Sequence, residues 1–253
     1  MSTATLSTAV LVHGAFADAS GFTGVIRELA STGHTVVSPP NPLRGLAFDA
    51  ASIAGYVDAL DGPVLLVGHS YGGAVITQAS AALGNVTGLV YLAAFGLDEG
   101  ESCASVQQPF APALLLSATY PTSYDAPGAS HGPDLYICQE KFRETFCADV
   151  PVDTAKVMFA TQRPLSLAAL TENATAAGWK TKPSWYVVSE LDNAISPDCQ
   201  RFMAERMGAT TRSIAGSHTA FVAQPVAVAQ FIGEALTTWS TSSAVLTRRS
   251  RND

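Results

Sequence analysis

The chain has 253 residues, of which 47% are hydrophobic and 14% charged, and its formal net charge at pH 7 is −7. This composition supports a large buried core and excludes an intrinsically disordered chain, and the globular part has no basic patch that would favour nucleic-acid binding. No segment resembles a secretion signal or approaches the roughly 18 apolar residues of a membrane span. We therefore expect a cytoplasmic protein without nucleic-acid or membrane partners.

Short apolar strands alternate with helical segments along most of the chain. Strands are predicted, in chain order, at residues 9–12, 35–38, 63–67, 86–93, 185–188 and 210–214. Helices are predicted at residues 21–31, 47–60, 73–79 and 226–239. This alternation predicts an α/β protein with a doubly wound, mostly parallel sheet of about six strands.

The alternation stops between Phe95 and Pro183. Because this segment is too long for a plain connection, we interpret residues 96–183 as a mostly helical cap over the carboxyl ends of the strands. A second packed layer without a functional role is the alternative. Residues 1–95 and 184–240 would then form the core, and the Ser/Thr-rich residues 241–253 a disordered tail.

The cysteines give no metal signal. Cys103, Cys138, Cys147 and Cys199 lack C-x-x-C spacing, and no nearby histidines complete a zinc pattern. We expect free thiols and no bound metal, with a Cys138–Cys147 disulfide as the alternative.

The most informative motif is the G-x-S-x-G pentapeptide of residues 68–72, between a predicted strand and a predicted helix. On such a sharp turn the hydroxyl of Ser70 would point into open space above the sheet. The helix N-terminus would place N–H groups where an oxyanion forms. The pattern predicts Ser70 as a nucleophile, with a chance turn as the alternative.

A serine hydroxyl needs a base to remove its proton. His218 lies in a loop between the last predicted strand and the closing helix, where an imidazole can reach over Ser70, and we predict that it is the base. His131, in the cap, is the alternative base. We expect His69 to pack beside the serine, His34 to be structural in a turn, and His13 to belong to a second motif.

The base needs a carboxylate on its far nitrogen. Asp192 directly follows a strand and gives the chain order Ser, Asp, His that is usual on a parallel α/β scaffold with this motif. The alternatives are Asp98, which follows the previous strand, Glu190, and Asp198, which is expected to cap a helix.

Acyl transfer also needs two donors for the oxyanion. One is expected to be the backbone N–H of Tyr71, the residue after the nucleophile. The other is expected from the loop after the first strand, where Gly14 allows close approach and the N–H of Ala15, or alternatively of Phe16, is the donor.

These segments together resemble the α/β-hydrolase superfamily, most closely bacterial serine hydrolases similar to the plant methyl esterase and hydroxynitrile lyase group. The resemblance lies in residues 11–15, 68–73, 191–195 and 217–218, and further in residues 91–95, 162–164 and 201–206. It extends from about Ala9 to Trp239, and it implies a parallel sheet with a helical cap inserted after a strand that ends near Ala94.

Two departures from the superfamily narrow the chemistry. Thr219 stands where the lyases have a lysine that helps to hold cyanide, which disfavours cyanohydrin cleavage. Dehalogenases of the superfamily use an aspartate nucleophile, and Ser70 argues against that activity.

We therefore expect a carboxylesterase-like hydrolase without metal or organic cofactor. Its small-molecule substrate would be a small to medium hydrophobic ester, in an apolar pocket that includes Phe16, Tyr120 and Tyr136. The spacing of Phe142 and Phe146 favours a place in the cap core for both.

Other functions fit the same residues. They are lactone, amide or carbon–carbon bond hydrolysis, cofactor-free perhydrolysis, and ligand binding with little turnover. The sequence carries no signal for an oligomeric state.

Overall fold

The computed structural model describes residues 7–123 and 133–249, with side chains as far as Thr238. The strands in this part are β1 (Thr8–Val12), β2 (Thr35–Val37), β3 (Val64–His69), β4 (Val86–Leu92), β5 (Thr119–Thr122), β6 (Asp134–Ile137), β7 (Leu165–Ser166), β8 (Ser184–Ser189) and β9 (Thr210–Ile214). The α-helices are α1 (Thr23–Ser31), α2 (Leu46–Asp58), α3 (Tyr71–Ala79), α4 (Leu115–Ala118), α5 (Gln139–Phe146), α6 (Val152–Ala160), α7 (Leu167–Thr171), α8 (Pro197–Arg206), α9 (Ala220–Ala223) and α10 (Pro225–Arg249).

Six strands form one sheet in the order β2-β1-β3-β4-β8-β9, and every neighbouring pair is parallel. The predicted doubly wound sheet is confirmed. Its central strands are continuous apolar runs because helices cover both faces, and β3 and β8 are buried along their whole length. One face carries a core that includes Phe22 and Phe231, and the other a core that includes Ile53 and Met203.

The strand order reverses beside β1 and β3, which places the loops after these two strands at a topological switch point. In such sheets, ligands bind outside the carboxyl ends of the strands at this point. The register pairs Val12 with Gly68, so the loop that starts at His13 lies against the turn that contains Ser70.

The segment between β4 and β8 contains α4 to α7 and an antiparallel sheet in the order β5-β6-β7. The sequence did not predict this sheet, because its strands are only two to four residues long and carry no sustained alternation. The division of the chain into core and cap remains our interpretation of this topology.

The last helix differs most from its prediction. It continues ten residues past the predicted end at Trp239, through residues 240–249, which were predicted mainly as tail. The physical reason is that no glycine or proline occurs between Gly233 and Arg249. Among the described residues no helix is both long and apolar enough to cross a membrane.

Candidate active site

Ser70 joins β3 to α3 in a backbone conformation that few residues other than glycine adopt, with φ +54° and ψ −123°. Its carbonyl oxygen accepts hydrogen bonds from the N–H groups of Gly73 (2.9 Å) and Phe95 (3.0 Å). Its own N–H donates to the carbonyl of Leu92 at 3.3 Å. The surrounding backbone therefore holds a strained turn in place, as is common at functional sites.

Glycines allow the loop after β1 to touch this turn. A Cβ on Gly72 would lie 2.2 Å from the carbonyl oxygen of Val12, and one on Gly14 would lie 2.6 Å from the Cβ of Ser70. A Cβ on Gly68 would lie 2.6 Å from the carbonyl oxygen of Gly72. Any side chain at positions 68 and 72 would therefore collide with neighbouring backbone.

His218 and Asp192 form a buried pair. The Nδ1 of His218 lies 2.7 Å from Oδ2 of Asp192, and neither side chain has exposed surface. A carboxylate accepts at this distance, so the proton lies on Nδ1 and Nε2 is left as an acceptor. Among the described residues Nε2 has no hydrogen-bond partner, and Ser70 and His218 line the same cavity.

Three further donors hold the Asp192 carboxylate. Its Oδ1 accepts from the N–H groups of Ala194 (2.7 Å) and Ile195 (3.0 Å), and its Oδ2 from the side-chain amide of Gln200 (2.7 Å). Gln200 also accepts from the N–H of Ser189 at 3.0 Å. Sequence reasoning missed Gln200; its one signal was an amide in the first turn of a helix shortly after the predicted acid.

The alternative acids are occupied elsewhere. Asp98 pairs with Lys180, and the hydrogen bond from that ammonium lowers the pKa of Asp98. Glu190 and Asp198 both pair with Arg201 at the surface. None of the three makes a contact with His218, and Asp192 is the carboxylate that the structure brings to the imidazole.

Two groups from different parts of the chain hold the His218 loop. The ring of His69 donates from Nε2 to the carbonyl oxygen of His218 at 3.0 Å, and burial, with the nearby His218 ring, keeps the pKa of His69 well below its usual value. On the other side, the carboxylate of Asp149 accepts hydrogen bonds from the N–H and the hydroxyl of Ser217. The packing role predicted for His69 thus includes a hydrogen bond.

The loop after β1 is built around His13. Its Nδ1 donates to the carbonyl of Gly14 at 2.9 Å, and its Nε2 accepts from the N–H of Asn41 at 3.0 Å. Burial lowers the pKa of His13 to about 4, so the ring is neutral at pH 7. The Asn41 side chain also donates to the carbonyl oxygen of His13 at 2.9 Å.

The hydrogen bonds of the same loop distinguish between Ala15 and Phe16, the two alternatives for the second oxyanion donor. The N–H of Phe16 donates to the carbonyl of Arg163 at 2.9 Å and is occupied. The N–H of Ala15 has no acceptor within the described residues. Tyr71 is the first residue of α3, and the first N–H groups of a helix have no acceptor inside it. The structure therefore favours Ala15, together with Tyr71, over Phe16.

The side chain of Tyr71 makes a buried contact that the sequence did not predict. Its hydroxyl donates to Oδ2 of Asp49 at 2.7 Å, and burial raises the pKa of Asp49. The carboxylate of Asp49 also accepts from the N–H of Arg44 at 3.0 Å. The Arg44 guanidinium donates to Asp134 of β6 at 2.9 Å, so one chain of contacts joins the serine turn to the small sheet.

The cavity beside Ser70 and His218 has a volume of about 40 Å³. Most of its lining is apolar and includes Phe16, Phe95, Leu115, Leu135, Phe146 and Ile195. Phe146 was expected only in the cap core, but its ring both contacts that of Phe142 and lines the cavity.

Tyr120 and Tyr136 are not brought to the cavity. Their rings stack on each other with centroids 5.9 Å apart, and Tyr120 is 44% exposed. Their neighbours Thr119 and Leu135 line the cavity instead, because successive side chains of a strand point to opposite faces.

The remaining alternative base, His131, lies outside the described residues.

The described part of the chain contains no cluster of side chains suited to bind a metal ion. Within residues 7–123 and 133–238, no three His, Cys, Asp or Glu side chains cluster as a metal site would require. The four cysteines are free thiols, including Cys138 and Cys147, for which a disulfide was the alternative.

A sequence profile described as the alpha/beta hydrolase family matches residues 9–231. The chain belongs to the alpha/beta hydrolase family. This confirms the resemblance inferred from the motifs, and it makes the protein a hydrolase by family membership.

Named relatives of this alpha/beta hydrolase are esterases and hydrolases. Methylesterase 2 of Arabidopsis thaliana is 26% identical over 214 residues, which cover 77% of this chain and 81% of the relative. Probable hydrolase R7 of a Phoma species is 29% identical over 206 residues, which cover 76% and 80%.

Solved structures share the fold at lower sequence identity. Polyneuridine aldehyde esterase superposes with a TM-score of 0.79 at 19% identity, over 91% of this chain and 100% of that one. A pyrethroid hydrolase from Sphingobium faniae superposes with a TM-score of 0.75 at 20% identity, over 92% and 98%.

Proposed function

We propose that this protein hydrolyses small to medium hydrophobic carboxylic esters through an acyl-enzyme on Ser70. The observation that carries the proposal is the His218–Asp192 pair, which leaves Nε2 of the imidazole unoccupied on the cavity that Ser70 also lines. A strained serine turn, an oriented imidazole and unoccupied N–H groups are the parts that acyl transfer needs.

In the first half-reaction, Nε2 of His218 takes the proton from the Ser70 hydroxyl while Oγ attacks the carbonyl carbon. The N–H groups of Ala15 and Tyr71 donate to the oxyanion. The imidazolium then gives its proton to the leaving alcohol, and an ester of Ser70 remains.

In the second half-reaction, His218 takes a proton from water, and the hydroxide attacks the acyl carbon. The proton returns to Ser70, and the carboxylic acid is released. Asp192 keeps the imidazole oriented and stabilises its charged form in both halves. No step requires a metal or an organic cofactor.

The substrate class follows from the cavity and agrees with the named relatives. The lining is mostly apolar and favours a hydrophobic acyl group. The names of methylesterase 2, polyneuridine aldehyde esterase and the pyrethroid hydrolase describe esterases or hydrolases of small molecules.

The test is turnover of p-nitrophenyl esters by the wild type and by Ser70→Ala. We expect the variant to lose activity by on the order of 10³-fold or more. A Ser31→Ala variant, at an exposed serine of α1, is the matched control and should keep full activity. Retention of most of the activity by Ser70→Ala would reject the proposal, and a wild type that stops after one equivalent would indicate a binding protein instead.

A further inference from the structure

A second and larger cavity adjoins the first, with Phe16 between them. Its volume is about 250 Å³. It is lined by Thr154, Val157 and Met158 on or beside α6, by the segment after Phe16, and by Val222 of α9. Phe16 is the one described residue that lines both cavities, so the two spaces meet at this residue.

The position of Phe16 is fixed on both sides. Its backbone has a φ of +58°, and its N–H is bonded to the carbonyl of Arg163 at 2.9 Å. Its ring meets the ring of Phe146 edge to face, with centroids 6.3 Å apart, and the residue is buried. Because the backbone of Phe16 is held in place, the size of its side chain determines how much space is open between the two cavities.

Ring contacts connect two lining residues of the larger cavity, Phe16 and Val222, to the histidines of the site. The ring of Phe146, against which Phe16 packs, also lies 5.2 Å from the ring of His218. Val222 follows Phe221, whose ring is 4.7 Å from that of His69. In ester hydrolysis the leaving oxygen must receive its proton from His218. The alcohol portion of the substrate therefore extends from Ser70 toward His218 and the rings that pack around it.

We propose that the larger cavity holds the alcohol portion of the ester and that Phe16 determines how large that portion is. This inference rests on the proposed esterase function. The lining combines apolar side chains, Val157 and Met158 among them, with the Asp18 carboxylate and with the hydroxyls of four residues, Ser20, Thr23, Thr154 and Thr161. It fits an alcohol with an apolar body larger than methanol and with an oxygen that accepts a hydrogen bond.

The test uses two ester series with the wild type, Phe16→Leu and Phe16→Ala. One series keeps the acyl group and lengthens the alcohol from methyl to hexyl and 2-phenoxyethyl. The other keeps the methyl ester and lengthens the acid. Phe16→Ala should raise kcat/KM for the largest alcohols relative to the methyl ester by about tenfold, with Phe16→Leu between, and this shift should exceed any change in the acyl series.

A filling variant tests the same cavity without touching the loop that carries Ala15. Thr154 is exposed on α6, so Thr154→Trp should fold normally. It should lower kcat/KM for the largest alcohols relative to kcat/KM for the methyl ester.

Unchanged alcohol preference in both Phe16→Ala and Thr154→Trp, or a change confined to the acyl series, would overturn the inference and leave the esterase function standing. Absence of turnover of every ester by the wild type would reject both.

Discussion

Nδ1 of His218 lies 2.7 Å from Oδ2 of Asp192 on two fully buried side chains that follow neighbouring strands of the sheet. The Asp192 carboxylate is shielded from solvent. Ala194, Ile195 and Gln200 supply its remaining hydrogen-bond donors. This arrangement keeps the imidazole in one orientation and one tautomer.

Asp192→Asn should abolish most of the activity with little change in fold. An amide at this position reverses the tautomer of His218, and such a change costs on the order of 10⁴-fold in kcat in a triad of this type. Steady-state kinetics measures the loss. Asp98→Asn makes the same change at the alternative acid and should keep full activity; equal losses in the two variants would contradict the assignment of Asp192.

Gln200→Leu should destabilise the protein and lower kcat together. The change leaves the N–H of Ser189 without a buried partner and removes one of the two hydrogen bonds to Oδ2 of Asp192, at a cost of about 1–3 kcal/mol in the free energy of unfolding. Urea unfolding measures this cost. Gln139→Leu, at an exposed position of α5, is the control and should differ from the wild type by less than about 0.5 kcal/mol. An unchanged urea midpoint for Gln200→Leu would show that these bonds do not stabilise the fold.

Gly72→Ala should prevent the close contact between α3 and the loop after β1. The added Cβ would lie 2.2 Å from a backbone oxygen, which has no room to move aside. We expect little folded protein. Gly55→Ala adds the same methyl group in an exposed part of α2 where no atom lies within 4 Å, and it should raise stability by about 1 kcal/mol. Thermal unfolding measures the stability of both variants relative to the wild type. A Gly72→Ala protein as stable as the wild type would refute the steric argument.

His13 should titrate with a pKa of about 4, compared with 6.5 for a free imidazole, because burial disfavours its charged form. A His whose folded-state pKa is depressed contributes stability that is present above pH 6.5 and is lost as the pH falls toward 4. The shift corresponds to about 3 kcal/mol. NMR titration of the ring protons follows His13 directly, and a midpoint at or above pH 6 would show that the ring is not held neutral.

The fold and the three principal site residues were predictable because they follow strand ends. Ser70 and Asp192 follow the apolar strands β3 and β8, and His218 follows the more polar strand β9. In a parallel sheet the carboxyl ends of strands share one edge. Local patterns were sufficient for these positions.

The supporting residues were not predictable from local patterns. Asp49 and Gln200 reach the site only through tertiary packing, Gln200 from the first turn of α8 and Asp49 from α2, which carries no motif. Tyr120 and Tyr136 were assigned to the pocket by residue type, and the alternation of two four-residue strands placed their neighbours there instead.

The most direct test of the central claim is covalent labelling with a fluorophosphonate, followed by mass spectrometry of the intact protein and of its peptides. The account predicts one adduct per chain, on Ser70, in the wild type, and labelling slowed by on the order of 10³-fold or more in His218→Ala. An adduct on another residue, or labelling of His218→Ala at the wild-type rate, would contradict it.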